Sequence, residues 1–279
     1  MASAYPIVRS GCAVEGILSS GGWTALMCAD STDWDTAADD WSRQLNAGFD
    51  RVREEYNWPA FVDLLGPLDG RDVIDLGCGN GAMTRRLATH ASRVTGLDTS
   101  RKMIVSAQRE NAAPNIRYDV VCADAPFALQ QRESADLIVG FMLLMSTRRL
   151  EPVAFGAERA LRPGGRLCLA LLHPCFSHGG MEWAKCDGAH AINLFRYSSR
   201  SDVPGVVRFQ TAREAGRAGF SVKRQERTLE DTLRPFLSAG LRLSALHEPV
   251  PSAEAVAQNG HLRRWRNVAP AFLHLVFEK

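Results

Sequence analysis

Val73-Ile74-Asp75-Leu76-Gly77-Cys78-Gly79-Asn80-Gly81-Ala82 is the stretch that decides how this chain reads. Branched apolar residues open it, glycines alternate through its middle, and a helix-forming run follows over residues 82–90. That is a buried strand entering a sharp bend and then a helix. Glycine permits the bend and lets a ligand lie against bare backbone. The helix start leaves N–H groups without intrahelical partners. The spacing also fits the dinucleotide fingerprint, with Ala82 in its third position and Asp98 about 20 residues further on.

Outward from this bend, short β-branched runs alternate with helical stretches. Strands are predicted at 93–97, 116–121, 136–140 and 166–172, and helices at 100–110 and 153–161. Such alternation predicts an α/β fold with a parallel sheet covered on both faces. Ligands in such sheets bind beyond the carboxyl ends of the strands. Upstream, Trp34, Ala38, Trp41 and Leu45, then Phe49, Val52 and Tyr56, recur at helical spacing and predict an N-terminal helical cap over 33–66 that Asp33 could begin. Residues 1–32 show no period and read as a flexible arm. After His173, residues 177–228 turn polar, basic and irregular, which predicts an inserted substrate lid. A helix near 229–239 and strands at 241–247 and 271–277 finish a single domain spanning 33–279.

Composition narrows the function classes. The 279 residues are 46% hydrophobic and 23% charged, as in an ordinary globular protein. With 33 Lys and Arg against 31 Asp and Glu there is no footprint of a dedicated nucleic-acid binder. The 7 cysteines include no C-x-x-C pair, so no metal site and a reducing, cytoplasmic setting are expected. No apolar run approaches the ~18–20 residues of a membrane span, and no signal peptide is expected.

Charge distinguishes the possible ligands of the glycine bend. A carboxylate at Asp75 would repel a pyrophosphate, which seeks bare N–H groups. It suits a ligand carrying an ammonium and a sulfonium, as S-adenosylmethionine does. Asp98 ends the second strand, where it can take both ribose hydroxyls. Asp124, with Ala125 and Pro126 after the third strand, can accept from an adenine amino group while Ala125 offers its N–H. Each aspartate could instead be a cap or turn residue, but three at successive strand ends point to one ligand. Phe141 and Met142 follow the fourth strand and read either as core or as neighbours of adenine and the methyl group. His173 closes the fifth strand, either as a structural histidine or as a base facing substrate. Phe176, Trp183 and Tyr197 are either lid packing or walls for an apolar substrate.

At residues 75–81, 94–98, 123–126 and 161–165 the chain resembles the class I S-adenosylmethionine-dependent methyltransferases. Tyr56-Asn57-Trp58-Pro59-Ala60, His173-Pro174-Cys175-Phe176 and Glu248-Pro249 resemble a bacterial, mostly small-molecule subgroup, although Ser146 stands where that subgroup usually has Asp. The resemblance implies a Rossmann-like seven-stranded sheet, mostly parallel, with an antiparallel last strand. It implies S-adenosylmethionine as cofactor, held by Asp75, Gly77, Cys78, Gly79, Asn80, Asp98, Thr99, Met103, Asp124, Ala125 and Phe141. The acceptor would meet Tyr56, Met142, Met145, Phe176, Trp183 and Tyr197, with His173 taking the proton of a hydroxyl acceptor. The expected reaction is direct methyl transfer to an O, N or C atom of a small molecule, in natural-product biosynthesis. Methylation of RNA or protein, a non-catalytic cofactor-binding scaffold and a nicotinamide oxidoreductase are the competing readings. Oligomeric state stays open.

Overall fold

The computed structural model describes residues 31–121, 132–177, 179–198, 202–207, 209, 216 and 219–279. The predicted arm 1–32 falls almost wholly outside them, as do Asp124 and Ala125.

Strand alternation builds the core. In β1 (Asp72–Leu76), Val73 points to one side of the sheet and Ile74 to the other, and both are buried. The same division holds in β4 (Ala135–Phe141) and β5 (Leu161–Leu172): Leu137, Val139, Cys168 and Ala170 face one layer, and Ile138, Leu167 and Leu169 face the opposite one. Strands buried on both faces are what a helix-covered parallel sheet requires. One layer packs under α2 (Trp58–Leu65) and α3 (Ala82–Leu87), through Phe61, Leu65 and Leu87. The other packs under α5 (Leu150–Ala160) and α6 (Leu229–Ser238), through Val153, Ala157 and Phe236.

With β2 (Arg93–Asp98), β3 (Ile116–Val120), β10 (Arg242–His247) and β11 (Phe272–Glu278), the sheet has seven strands in the order β10-β11-β5-β4-β1-β2-β3. The β1–β2, β2–β3, β1–β4 and β4–β5 pairs are parallel, and β11 runs antiparallel to β5 and β10. The order reverses between β1 and β4, which places a crevice beyond their carboxyl ends. The Arg162-Pro163-Gly164-Gly165 turn is an excursion within β5: pairing to β4 jumps from Leu161 to Arg166.

The region expected as an irregular lid contains two hairpins. One joins β6 (Met181–Cys186) to β7 (Ala189–Leu194), the other β8 (Asp202–Val207) to β9 (Phe220–Gln225). Upstream, α1 (Ser31–Asn46) is followed by a π-helical turn (Arg53–Asn57) that runs into α2. Short helices α7 (Ala253–Gln258) and α8 (Arg263–Asn267) precede β11. No helix of the described residues is long and apolar enough to cross a membrane.

Candidate active site

The glycine bend holds its shape because nothing larger fits. Gly77 has φ +75°, and a Cβ there would lie 2.7 Å from Leu143 Cδ1. Gly81 has φ +80°, and a Cβ there would strike the Tyr118 hydroxyl. The bend is tied to the end of β2: the Gly77 and Cys78 N–H groups donate to Leu97 O at 2.7 and 3.0 Å. Asp98 completes the tie. Its Oδ2 accepts from the Gly79 N–H and its Oδ1 from the Ser100 N–H, both at 2.8 Å. A carboxylate oxygen has room for a second donor, so Asp98 can still receive hydroxyls.

Asp75 is fully buried, and its Oδ2 accepts from the Thr84 hydroxyl at 2.6 Å. Burial is the main force lifting its carboxyl from the ordinary 3.8 to about 6, and the Asp98 charge adds to it. Asp98 is itself pushed up, first by burial and further by the charge of Asp35. The site therefore concentrates negative charge that a cationic ligand would relieve. Asn80 is also buried; its Oδ1 accepts from the Ala82 N–H at 3.3 Å, while its Nδ2 has no hydrogen-bond partner. An acid pair and a side-chain-free bend fit a ligand that bears an ammonium and ribose hydroxyls, as S-adenosylmethionine does.

These residues open into a cavity of about 380 Å³. Asp75, Gly77, Cys78, Gly79, Asn80 and Asp98 line it, together with Thr99, Met103 and Phe141. Met142 and Met145 line it too, so every described residue expected to hold the cofactor, and these two expected to meet the acceptor, share one space. Met142 has φ +60°, uncommon for a side-chain-bearing residue. Its sulfur accepts from Asn57 Nδ2 at 3.3 Å.

The remaining expected residues lie elsewhere. His173 is buried and does not line this cavity; it borders a separate one of about 40 Å³. Its Nδ1 accepts from the Cys175 N–H at 3.1 Å, so its Nε2 carries the proton and donates to Glu248 Oε1 at 2.7 Å. Burial, outweighing Glu248, holds its pKa below the usual histidine value. Both nitrogens being committed, His173 is a structural histidine here rather than a free base. Phe176 packs on its ring, with centroids 4.6 Å apart. Tyr56 is a strut: its hydroxyl donates to Pro249 O at 2.6 Å and accepts from the Ala271 N–H at 3.4 Å. Trp183 meets Trp265 edge-on at 4.8 Å, with the Arg264 guanidinium 4.7 Å from its ring. The Tyr197 hydroxyl accepts from the Leu229 N–H, 2.8 Å away at the start of α6. None of these four aromatics lines the large cavity.

Other residues take their place. Trp34 and Trp41 of α1, with Phe209 and Val222, roof the cavity. Trp41 contacts Phe209 and Phe220 at 5.3 and 5.4 Å between centroids, which clamps β9 to α1. The π-helical turn and the loop before it add Asp50, Arg53 and Asn57 to the lining. A sequence signal for these existed: 50, 53 and 57 run one residue behind the apolar series 49, 52 and 56, as a polar stripe beside an apolar one.

Residues 73–165 match a family model described as a methyltransferase domain. The demethylmenaquinone methyltransferase of Tropheryma whipplei is 34% identical over 117 residues, which are 41% of this chain and 48% of that protein. A ubiquinone biosynthesis O-methyltransferase of Paracidovorax citrulli is 32% identical over 108 residues, 38% of this chain and 45% of that one. The chain thus spans about half the length of the curated relatives it matches. Among solved structures, an S-adenosylmethionine-dependent methyltransferase from Mesorhizobium loti aligns over 80% of this chain and 97% of its own, at 25% identity and a TM-score of 0.65. Residues 73–165 thus match a methyltransferase domain, and the chain shares the fold of a solved S-adenosylmethionine-dependent methyltransferase over 80% of its length.

Proposed function

We propose that the protein transfers a methyl group from S-adenosylmethionine to an O, N or C atom of a small molecule, in natural-product biosynthesis. The observation that carries this reading is the continuity of the cavity. It runs from the Asp75–Asp98 bend to a chamber walled by Trp34, Trp41, Phe209, Val222 and Met145 and closed over by α1 and β9. An apolar chamber of this size suits a small acceptor; a polymer would need an open basic trough. The relatives named for menaquinone and ubiquinone biosynthesis support the same acceptor size.

The bound donor supplies an already activated methyl on a positive sulfur, so this chain's task is mainly placement. Asp75 and Asp98 answer the donor's positive charge and hydroxyls, and the bare bend lets it lie against the backbone. The roof keeps water away from the reacting atoms and sharpens the field of the buried acids. Holding acceptor and methyl roughly 3 Å apart and in line accounts for most of the rate gain such a site offers. With His173 committed to Glu248, proton removal is not assigned to it.

Calorimetric titration tests the reading. Adenosylhomocysteine should bind with heat, and NAD should give none. A folded protein that binds NAD and ignores adenosylhomocysteine would overturn it.

A further inference from the structure

The cavity's polar groups fall into two sets. Asp75, Asp98 and Asn80 sit at the glycine bend; Asp50, Arg53 and Asn57 come from the π-helical turn and the loop before it. Within the second set, two side chains are already committed. The Arg53 guanidinium grips Glu54 Oε1 through Nε at 3.0 Å and through a terminal nitrogen at 2.8 Å. Asn57 accepts from His274 Nε2 at 2.8 Å and donates to the Met142 sulfur.

Asp50 differs. Its Oδ1 accepts from the Arg53 N–H at 3.1 Å, but its Oδ2 lies 3.9 Å from Arg53 Nε, beyond hydrogen-bond reach. That Oδ2 is not a sealed atom, and Asp50 lines the cavity. Leu45, Val52 and the two indoles line the same cavity. Burial, against the pull of Arg53, keeps its carboxyl above the ordinary range, as expected of a carboxylate lacking its full set of donors. Oδ2 keeps only this long ion pair with Arg53, and Lys223, which also lines the cavity, stands on the exposed side of β9.

Resting on the methyltransferase reading, we propose that Asp50 Oδ2 recognises the acceptor. The chamber takes a small, largely apolar molecule that presents an ammonium or hydroxyl to this oxygen, and Asp50 thereby selects cationic or hydrogen-donating acceptors over anionic ones. An apolar chamber with one under-donated carboxylate favours such a group because the alternative leaves that oxygen unpaired.

Three probes sharing an indole ring test this: tryptamine, 3-methylindole and indole-3-propionate, each titrated into protein saturated with adenosylhomocysteine. Tryptamine should bind about tenfold or more tightly than the other two. Asp50→Asn should abolish that preference while holding adenosylhomocysteine affinity within twofold, and Asp50→Glu should keep the preference for the cation. Equal binding of all three probes, binding of none, or an unchanged tryptamine preference in Asp50→Asn would overturn the proposal. So would a parallel loss of adenosylhomocysteine affinity, which would move Asp50 into the donor's pocket. Wild-type protein that fails to bind adenosylhomocysteine refutes the methyltransferase reading itself, so the two failures are distinguishable.

Discussion

The Ser100 hydroxyl donates to Asp35 Oδ1 at 2.6 Å and accepts from the Met103 N–H at 3.1 Å. Asp35 also accepts from the Lys102 N–H at 3.2 Å. One residue from α1 and one from its own chain start therefore cap α4 (Arg101–Glu110) together. The cap stands beside Asp98, so the helix that roofs the cavity is pinned where the ribose would lie.

Asp35→Ala should remove a charge-assisted bond and unpin α1. A loss of about 1.5–3 kcal/mol in denaturant unfolding is expected. Adenosylhomocysteine affinity should fall despite the removal of a negative neighbour from Asp98. Unchanged stability would mean that the α1–α4 contact is idle.

Donor affinity should depend on pH through Asp75. Its folded pKa of about 6 exceeds the unfolded 3.8, so the ligand-free fold keeps its proton up to about pH 6. That proton favours the fold at acid pH, and the advantage is lost as pH rises from about 4 to 6. Donor binding runs the other way, because a cation wants the carboxylate ionised. Adenosylhomocysteine should bind about tenfold more weakly at pH 5 than at pH 7.5. Asp75→Asn should flatten that slope, and calorimetry at both pH values reads it.

Gly77→Ala and Gly70→Ala form a matched pair. Both positions have positive φ, +75° and +74°, but a Cβ at Gly70 meets nothing within 4 Å while one at Gly77 runs into Leu143. Each should lose about 1–2 kcal/mol of stability from the backbone alone. Only Gly77→Ala should weaken adenosylhomocysteine binding, by tenfold or more, because Leu143 must shift into the cavity. Equal affinities in the two variants would show that the bend tolerates a side chain.

His173→Ala should act on stability. Truncation leaves the part-buried Cys175 N–H unpaired, costing about 1 kcal/mol, whereas the half-exposed Glu248 regains water. Adenosylhomocysteine affinity should stay within twofold of wild type. Full stability in thermal unfolding would contradict the structural role.

The sheet was legible because its strands are buried on both faces, and runs such as Val73-Ile74 and Leu137-Ile138-Val139 carry that directly. The glycine bend and its two acids were legible because charge and glycine spacing are local. The acceptor side was not. In β6, Trp183 and Ala184 are half-covered and the residues around them are mostly exposed, so the hairpin shows no strong alternation. The π-helical turn is a change in backbone bonding that side-chain periodicity does not encode. His173 looked like a free base because its partner Glu248 lies 75 residues downstream. Trp34 and Trp41 were visible as an apolar helix face, but not what they would cover.

The clasp of Trp41 on Phe209 and Phe220 joins an early stretch of the chain to a late one. During synthesis α1 leaves the ribosome long before its counterpart exists. A nascent chain can thus complete β1, β2 and the nucleotide-facing turns while the compartment for the second reactant is still missing. The bend and the roof over it are thus completed at different times, and the roof closes last.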